Sequence, residues 1–170
     1  MFDLLDRRHL LGLGFLLLVG AATGRAAEPV SVAVFDFELI DTSQGGVSTV
    51  PPEAEAHRLR LLSEQLRHAY EAAADYRLVD IAPVADEAKA RNRQGCGECD
   101  RTFAQELGAD WSVTGTVWKV SNLVLNIRVY VRDVASGEIK QTLNADIRGN
   151  TDQSWQRGLD WLIRNRLKLK

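Results

Sequence analysis

Apolar and polar positions change their period several times along the chain, and each change marks an element. Val30 to Ile40 is rich in β-branched and aromatic residues and is apolar on both alternating sets. That pattern predicts a strand covered on both faces near its start. A polar loop from Asp41 to Val50, containing Gly45-Gly46, leads to Pro51 and Pro52, which fix φ at a helix entrance. Glu53 and Glu55 suit the positive end of that helix's dipole. The helix is expected to run to about Ala74, with Leu59, Leu62, Leu66, Ala69 and Tyr70 on one stripe. Tyr76 to Ile81 reads as a short second strand. Pro83 opens a second helix to about Asn92, and a third runs from about Asp100 to Leu107, ended by Gly108.

Three strands follow: Trp111 to Val120, Leu123 to Asp133 and Glu138 to Arg148, with a hairpin signal at Ser136-Gly137. The last two alternate. Leu123, Leu125, Ile127, Val129 and Val131 point one way, as do Ile139, Leu143, Ala145 and Ile147. Asn126, Arg128, Tyr130 and Arg132 point the other way, with Lys140, Thr142, Asn144, Asp146 and Arg148. One face therefore packs on helices and the other meets water or a partner. A final helix starts near Thr151, with Asn150 or Thr151 as its cap and Asp152 in its first turn. Its buried stripe is Trp155, Leu159, Leu162 and Ile163, and Lys168 and Lys170 suit its negative end. The order β-α-β-α-α-β-β-β-α predicts an α/β (α+β) fold. The expected form is two layers, a mixed sheet of about five strands covered by helices on one face.

The first 26 residues have a different character. Arg7-Arg8 precede an apolar run from Leu10 to Val19, broken only by Gly12 and Gly14, and small residues lead to Ala26. Gly24 and Ala26 form the small-x-small pattern of a signal-peptidase site. The run is shorter than the roughly 20 residues of a membrane-spanning helix. The expectation is a signal peptide over 1–26, cut near Ala26 or Ala27, and one periplasmic domain over 27–170 that meets the membrane only transiently. Asp6 to Leu11 also fits a twin-arginine export signal. Removing residues 1–26 leaves 18 basic and 21 acidic residues, a net charge of −3, so bulk charge gives no nucleic-acid binder.

Cys96-Gly97-Glu98-Cys99 is the one chemical motif. In an oxidising compartment a local disulfide is its first reading. Two others stand beside it. Cys96 could be a redox nucleophile, its thiolate favoured near a helix amino end, or the pair could take part in a metal site. A c-type haem would need histidine where Asp100 stands. His57 and His68 share a helix face but lie about 16 Å apart along it, too far to share an ion. Asp36, Glu38 and Asp41 fall at the carboxyl end of the first strand, where α/β sheets often bind ligands. Alternation puts Asp36 and Glu38 on one side, as weak candidates for a cation or polar ligand.

The polar strand face is the stronger candidate. Arg128, Arg132, Lys140 and Arg148 stand among Tyr130 and Trp118, a composition typical of protein-binding hot spots. Trp161 lies about 120° from the last helix's buried stripe, so it either covers the core edge or marks an interface. No nucleophile–base–acid set, phosphate loop or His-Glu-x-x-His is present. The reading is a non-catalytic module without a cofactor, acting on a protein partner. A thiol–disulfide protein or a small-ligand carrier is the alternative.

Val32 to Phe37, Leu107 to Gly115 and Arg128 to Glu138 together resemble the amino-terminal domain of TolB and the CsgG-like cell-envelope modules. The resemblance implies the same fold. The β-propeller of TolB and the lipidated cysteine of CsgG are not in this sequence, so neither TolB's whole activity nor pore formation is implied. Asp146 to Trp155 is similar to a smaller exported Gram-negative family known as a domain of unknown function. That likeness implies an accessory role beside periplasmic quinoprotein alcohol dehydrogenases.

Overall fold

The computed structural model describes residues 28–43, 52–167 and 169. The expected signal peptide and its cleavage site, the Gly45-Gly46 loop, Pro51, Lys168 and Lys170 lie outside the described residues. The elements run β1 (Val30–Val34), β2 (Glu38–Asp41), α1 (Pro52–Glu71), β3 (Tyr76–Leu78), a 3-10 turn (Ala82–Val84) and α2 (Ala85–Ala90). Then come α3 (Cys99–Glu106), β4 (Trp111–Lys119), β5 (Val124–Asp133), β6 (Ile139–Arg148), α4 (Asp152–Leu162) and a π-helical turn (Ile163–Leu167). Six strands form one mixed sheet in the order β3-β1-β4-β5-β6, with β2 beside β4 beyond the end of β1. The strands β3, β1, β2 and β4 are parallel, and β4, β5 and β6 are antiparallel.

The strand expected over Val30–Ile40 is two strands, which raises the count to six. Val34 pairs with Val113 but Glu38 pairs with Thr116, so the first strand spends four steps where β4 spends three. The extra residue reverses the alternation. Val32 and Val34 face one core and Ala33 and Phe35 the other, yet Phe37 rejoins the first. Its ring takes the space left by Gly115, where an added Cβ would lie 2.4 Å from Phe37 Cε1. Side chains satisfy the displaced backbone. Ser63 Oγ accepts from Phe37 N at 2.9 Å, Arg67 Nε donates to Val34 O at 3.2 Å, and Arg93 Nη2 donates to Asp36 O at 2.7 Å.

The larger core lies between the sheet and helices α1 and α4. Leu62, Leu66 and Tyr70 of α1 and Trp155, Leu159 and Leu162 of α4 meet Val113, Val117, Leu125, Ile127 and Val129. Each such side chain contributes about 1.5–3 kcal/mol on burial. Thr151 caps α4 through a reciprocal capping box with Ser154. On the opposite face, Phe103 and Ala104 of α3 and Ala88 of α2 pack on Ala33 and Phe35. Helices therefore cover one face over the antiparallel strands but both faces at β1, as its doubly apolar pattern requires.

A second bulge alters β6. Val131 pairs with Gln141 but Arg132 pairs with Ile139, so Lys140 is the extra residue. This corrects the alternation for two positions. Ile139 turns to the polar face, 42% exposed, rather than joining Leu143. Lys140 leaves the polar face and reaches back across the sheet, its Nζ 5.0 Å from the Trp111 ring centroid and 3.5 Å from Asp133 Oδ2.

Candidate protein-docking face

Among the described residues no helix covers the polar face of β4, β5 and β6 between Trp118 and Tyr130. Trp118 sits opposite Asn126, Thr116 opposite Arg128 and Thr114 opposite Tyr130. Arg128, the diagonal neighbour of Trp118, lays its guanidinium over the indole with Cζ 5.0 Å from the ring centroid. Both partners are pinned. Trp118 Nε1 donates to Thr42 Oγ1 at 3.0 Å, Arg128 Nε donates to Asn126 Oδ1 at 3.0 Å, and Asn126 Nδ2 donates to Asp146 Oδ1 at 2.8 Å. The aromatic–cation pair is thus half-buried and held in place by hydrogen bonds on both partners.

The face closes at its other end. Cys96 and Cys99 are disulfide-bonded, and Glu98 between them and Asp100 in the first turn of α3 both reach the sheet. Arg132 Nε donates to Asp100 Oδ2 at 3.1 Å, and its Nη1 donates to Glu98 Oε1 at 3.1 Å and Gly137 O at 2.8 Å. Ser112 Oγ also donates to Asp100 Oδ2, at 2.8 Å. Arg132 is therefore an anchor for the loop. Between loop and sheet runs a cleft of about 380 Å³ lined by Glu98, Thr114, Tyr130, Arg132 and Ile139. Of the expected face residues, Trp118 and Arg128 are in contact, and Tyr130 follows Arg128 on the same face opposite Thr114. Arg148 is exposed at the end of β6, and Lys140 is on the other side.

The three carboxylates at the end of β1 do not converge. Asp36 accepts from Arg67 Nη2 at 2.6 Å and lines an open crevice of about 330 Å³ with Arg67, Leu78, Asp80 and Ile81. Glu38 accepts from Arg93 N at 3.1 Å, with the buried Arg93 guanidinium 3.6 Å away. Burial pushes that guanidinium below its ordinary value, against the pull of Glu38. Asp41 accepts from Ser43 and pairs with Lys119 Nζ at 2.9 Å. Hydrogen bonding from Ser43, then Lys119, holds the Asp41 carboxyl below the usual range. The bulge is the reason that Asp36 and Glu38, two residues apart, turn to different cations. Among the described residues no group of three His, Cys, Asp or Glu could hold a metal, and His57 and His68 are both exposed.

The family model DUF3280, described as "Protein of unknown function (DUF2380)", matches residues 30–167. The chain belongs to the DUF3280 family. The match runs from the start of β1 to the end of the π-helical turn, so it takes in the whole sheet and every helix named above. No curated protein matches the DUF3280 chain. Among solved structures it is similar to lipoprotein GNA1162 from Neisseria meningitidis, at 16% identity and a TM-score of 0.52, over 82% of this chain and 96% of that one. The LpoB C-terminal domain from Escherichia coli matches at 15% identity and a TM-score of 0.48, over 74% of this chain and 88% of that one. TolB from Acinetobacter baumannii matches at 9% identity and a TM-score of 0.43, over 81% of this chain and 29% of that one. The likeness to GNA1162 carries the fold.

Sequence reasoning missed the buried ion network of the DUF3280 domain. Lys119 is 1% exposed and bonds Glu55 Oε1 at 2.8 Å as well as Asp41. Asn150 Nδ2 donates to the same Glu55 oxygen at 2.6 Å, and Arg58 joins Asn150 to Asp152. Burial alone would lower the Lys119 ammonium, but Glu55 and Asp41 outweigh it and raise it. A signal was available: Lys119 continues the odd-numbered set of Val113 and Val117, which faces the helices.

Proposed function

We propose that this DUF3280 protein is a periplasmic, non-catalytic accessory module that docks an envelope protein through the open face around Trp118, Arg128 and Tyr130. One observation carries this reading: the Arg128–Trp118 stack is fixed by three hydrogen-bonded neighbours and, among the described residues, has no covering element. Arg and aromatic side chains, held rigid and half-exposed, are the groups that concentrate binding energy at protein interfaces. The expected signal peptide, cut near Ala26 or Ala27, and the Cys96–Cys99 bridge both suit an oxidising, exported setting. The resemblance to exported proteins that accompany quinoprotein alcohol dehydrogenases makes such a dehydrogenase the first partner to test.

The test is affinity capture from periplasm with the tagged protein and with its Trp118→Ala/Arg128→Ala/Arg148→Ala variant. A discrete partner is expected with the wild type and at least about tenfold less with the variant, since hot-spot truncations cost about 2 kcal/mol or more. Equal recovery by a folded variant contradicts the reading.

A further inference from the structure

The free edge of β6 is a second surface, separate from the docking face. Among the described residues strand β6 pairs only with β5 and leaves Ile139–Arg148 at the sheet margin, whereas the opposite margin, β3, has three residues. The ladder fixes which backbone groups are unpaired. Gly149 N donates to Leu123 O, and Ile147, Ala145 and Leu143 follow at two-residue steps opposite Leu125, Ile127 and Val129. Those residues direct their N–H and C=O groups at β5, so Thr142, Asn144, Asp146 and Arg148 direct theirs outward.

Natural sheets guard long edges with bulges, prolines or charges. Here the bulge at Lys140 guards one end, and the stretch Thr142 to Ala145 contains no proline, charge or bulge. Beside that stretch α4 leaves a notch of about 380 Å³ bounded by Asn144, Ala145, Asp146, Gly158, Trp161 and Arg166. Gly158 lets α4 sit close on the sheet, since an added Cβ would lie 2.4 Å from Ile147 Cγ2, and Trp161 is 46% exposed with Arg166 stacked 5.9 Å from its ring centroid. The charge of the margin is basic. Asp146 accepts from the neutral Asn126 amide and keeps its charge, but Arg148 and Arg166, exposed and without a carboxylate partner among the described residues, outnumber it.

We propose that this edge accepts an extended acidic segment of another protein as an added strand. One apolar side chain of that segment fills the notch against Trp161, and a carboxylate two residues along meets Arg166. The outward backbone groups give the affinity, and the notch and the arginines select the sequence. The indole of Trp161 is thereby assigned to an interface and not to the core margin.

The experiment is fluorescence anisotropy with the full chain at low ionic strength. The probe is a fluorescein-labelled octapeptide that alternates threonine with valine and glutamate. Saturable binding is expected, weakened at least about tenfold by Asn144→Pro, by Arg166→Glu, and by lysine in place of glutamate in the peptide. Asn144→Pro removes an outward N–H and no bond to β5, a position where sheets tolerate proline. Arg166→Glu leaves the strand untouched, so the test stands if the proline variant misfolds. Trp118→Ala is expected to leave peptide binding unchanged, which separates this edge from the docking face. No saturable binding, equal binding by the variants, or a dimer of this chain that the peptide fails to dissociate would overturn the proposal.

Discussion

Phe37 occupies the space that Gly115 leaves empty: a Cβ built on residue 115 would stand 2.4 Å from the Phe37 ring. This contact holds the bulge that splits β1 from β2, and with it the placement of Asp36, Glu38 and Asp41. Gly115→Ala is therefore expected to destabilise the fold by about 1–3 kcal/mol, the usual cost of forcing a methyl into a packed core. Urea unfolding measures it, and wild-type stability in this variant would show that the ring does not need the space.

Lys119 is a buried cation between two carboxylates, Glu55 and Asp41. Lys119→Met leaves Glu55 buried with no cation beside it and is expected to cost about 3–5 kcal/mol, most of it recovered by also changing Glu55→Leu. The raised ammonium also sets a pH dependence. Its contribution is complete below the ordinary lysine value and is lost as pH rises through the higher folded value. Thermal melts between about pH 9 and pH 12 should show this loss in the wild type and not in Lys119→Met. Parallel curves would contradict it.

Asp110 and Ser31 join the start of β4 to β1. Asp110 Oδ2 accepts from Ser31 Oγ at 2.6 Å and from Ser31 N at 2.9 Å. These bonds, the hydroxyl first, hold the Asp110 carboxyl below its ordinary 3.8. The stabilisation is present above that ordinary value and is lost as pH falls through the lower folded one. Ser31→Ala is expected to cost about 1 kcal/mol at pH 7, with the gap to wild type shrinking toward pH 2. A gap independent of pH in acid melts would contradict this cause.

The Cys96–Cys99 bridge closes a very short loop, which stabilises the chain by only about 2 kcal/mol in the entropy model. The Cys96→Ser/Cys99→Ser variant is expected to fold, to lose no more than about that amount, and to loosen the Glu98–Arg132 pair. A reduction potential below about −300 mV fits a structural bridge, and a value well above it would place the pair in thiol–disulfide exchange.

The helix stripes of α1 and α4, the cap at Thr151 and the face of Arg128 and Tyr130 were all legible in the chain, because each depends on spacing within one element. The two bulges were not. Alternation counts residues in twos, and one inserted residue reverses every position on one side of it. At Asp36 the cause is Gly115, in a strand far along the chain, and at Lys140 it is the register with Val131 and Arg132. Arg132 read as a surface cation because its acceptors, Glu98 and Asp100, arrive from a separate loop. Asp41 read as a free carboxylate for the same reason, since Lys119 reaches it from β4.

The proposed docking face is tested most directly by a photo-crosslinking amino acid placed at Tyr130 in living cells, with the same group at exposed His68 on α1 as the comparison. A discrete adduct with one envelope protein from position 130, absent from position 68 and lost with Arg128→Glu, is the predicted result. An adduct from position 68 but not from position 130 would contradict it.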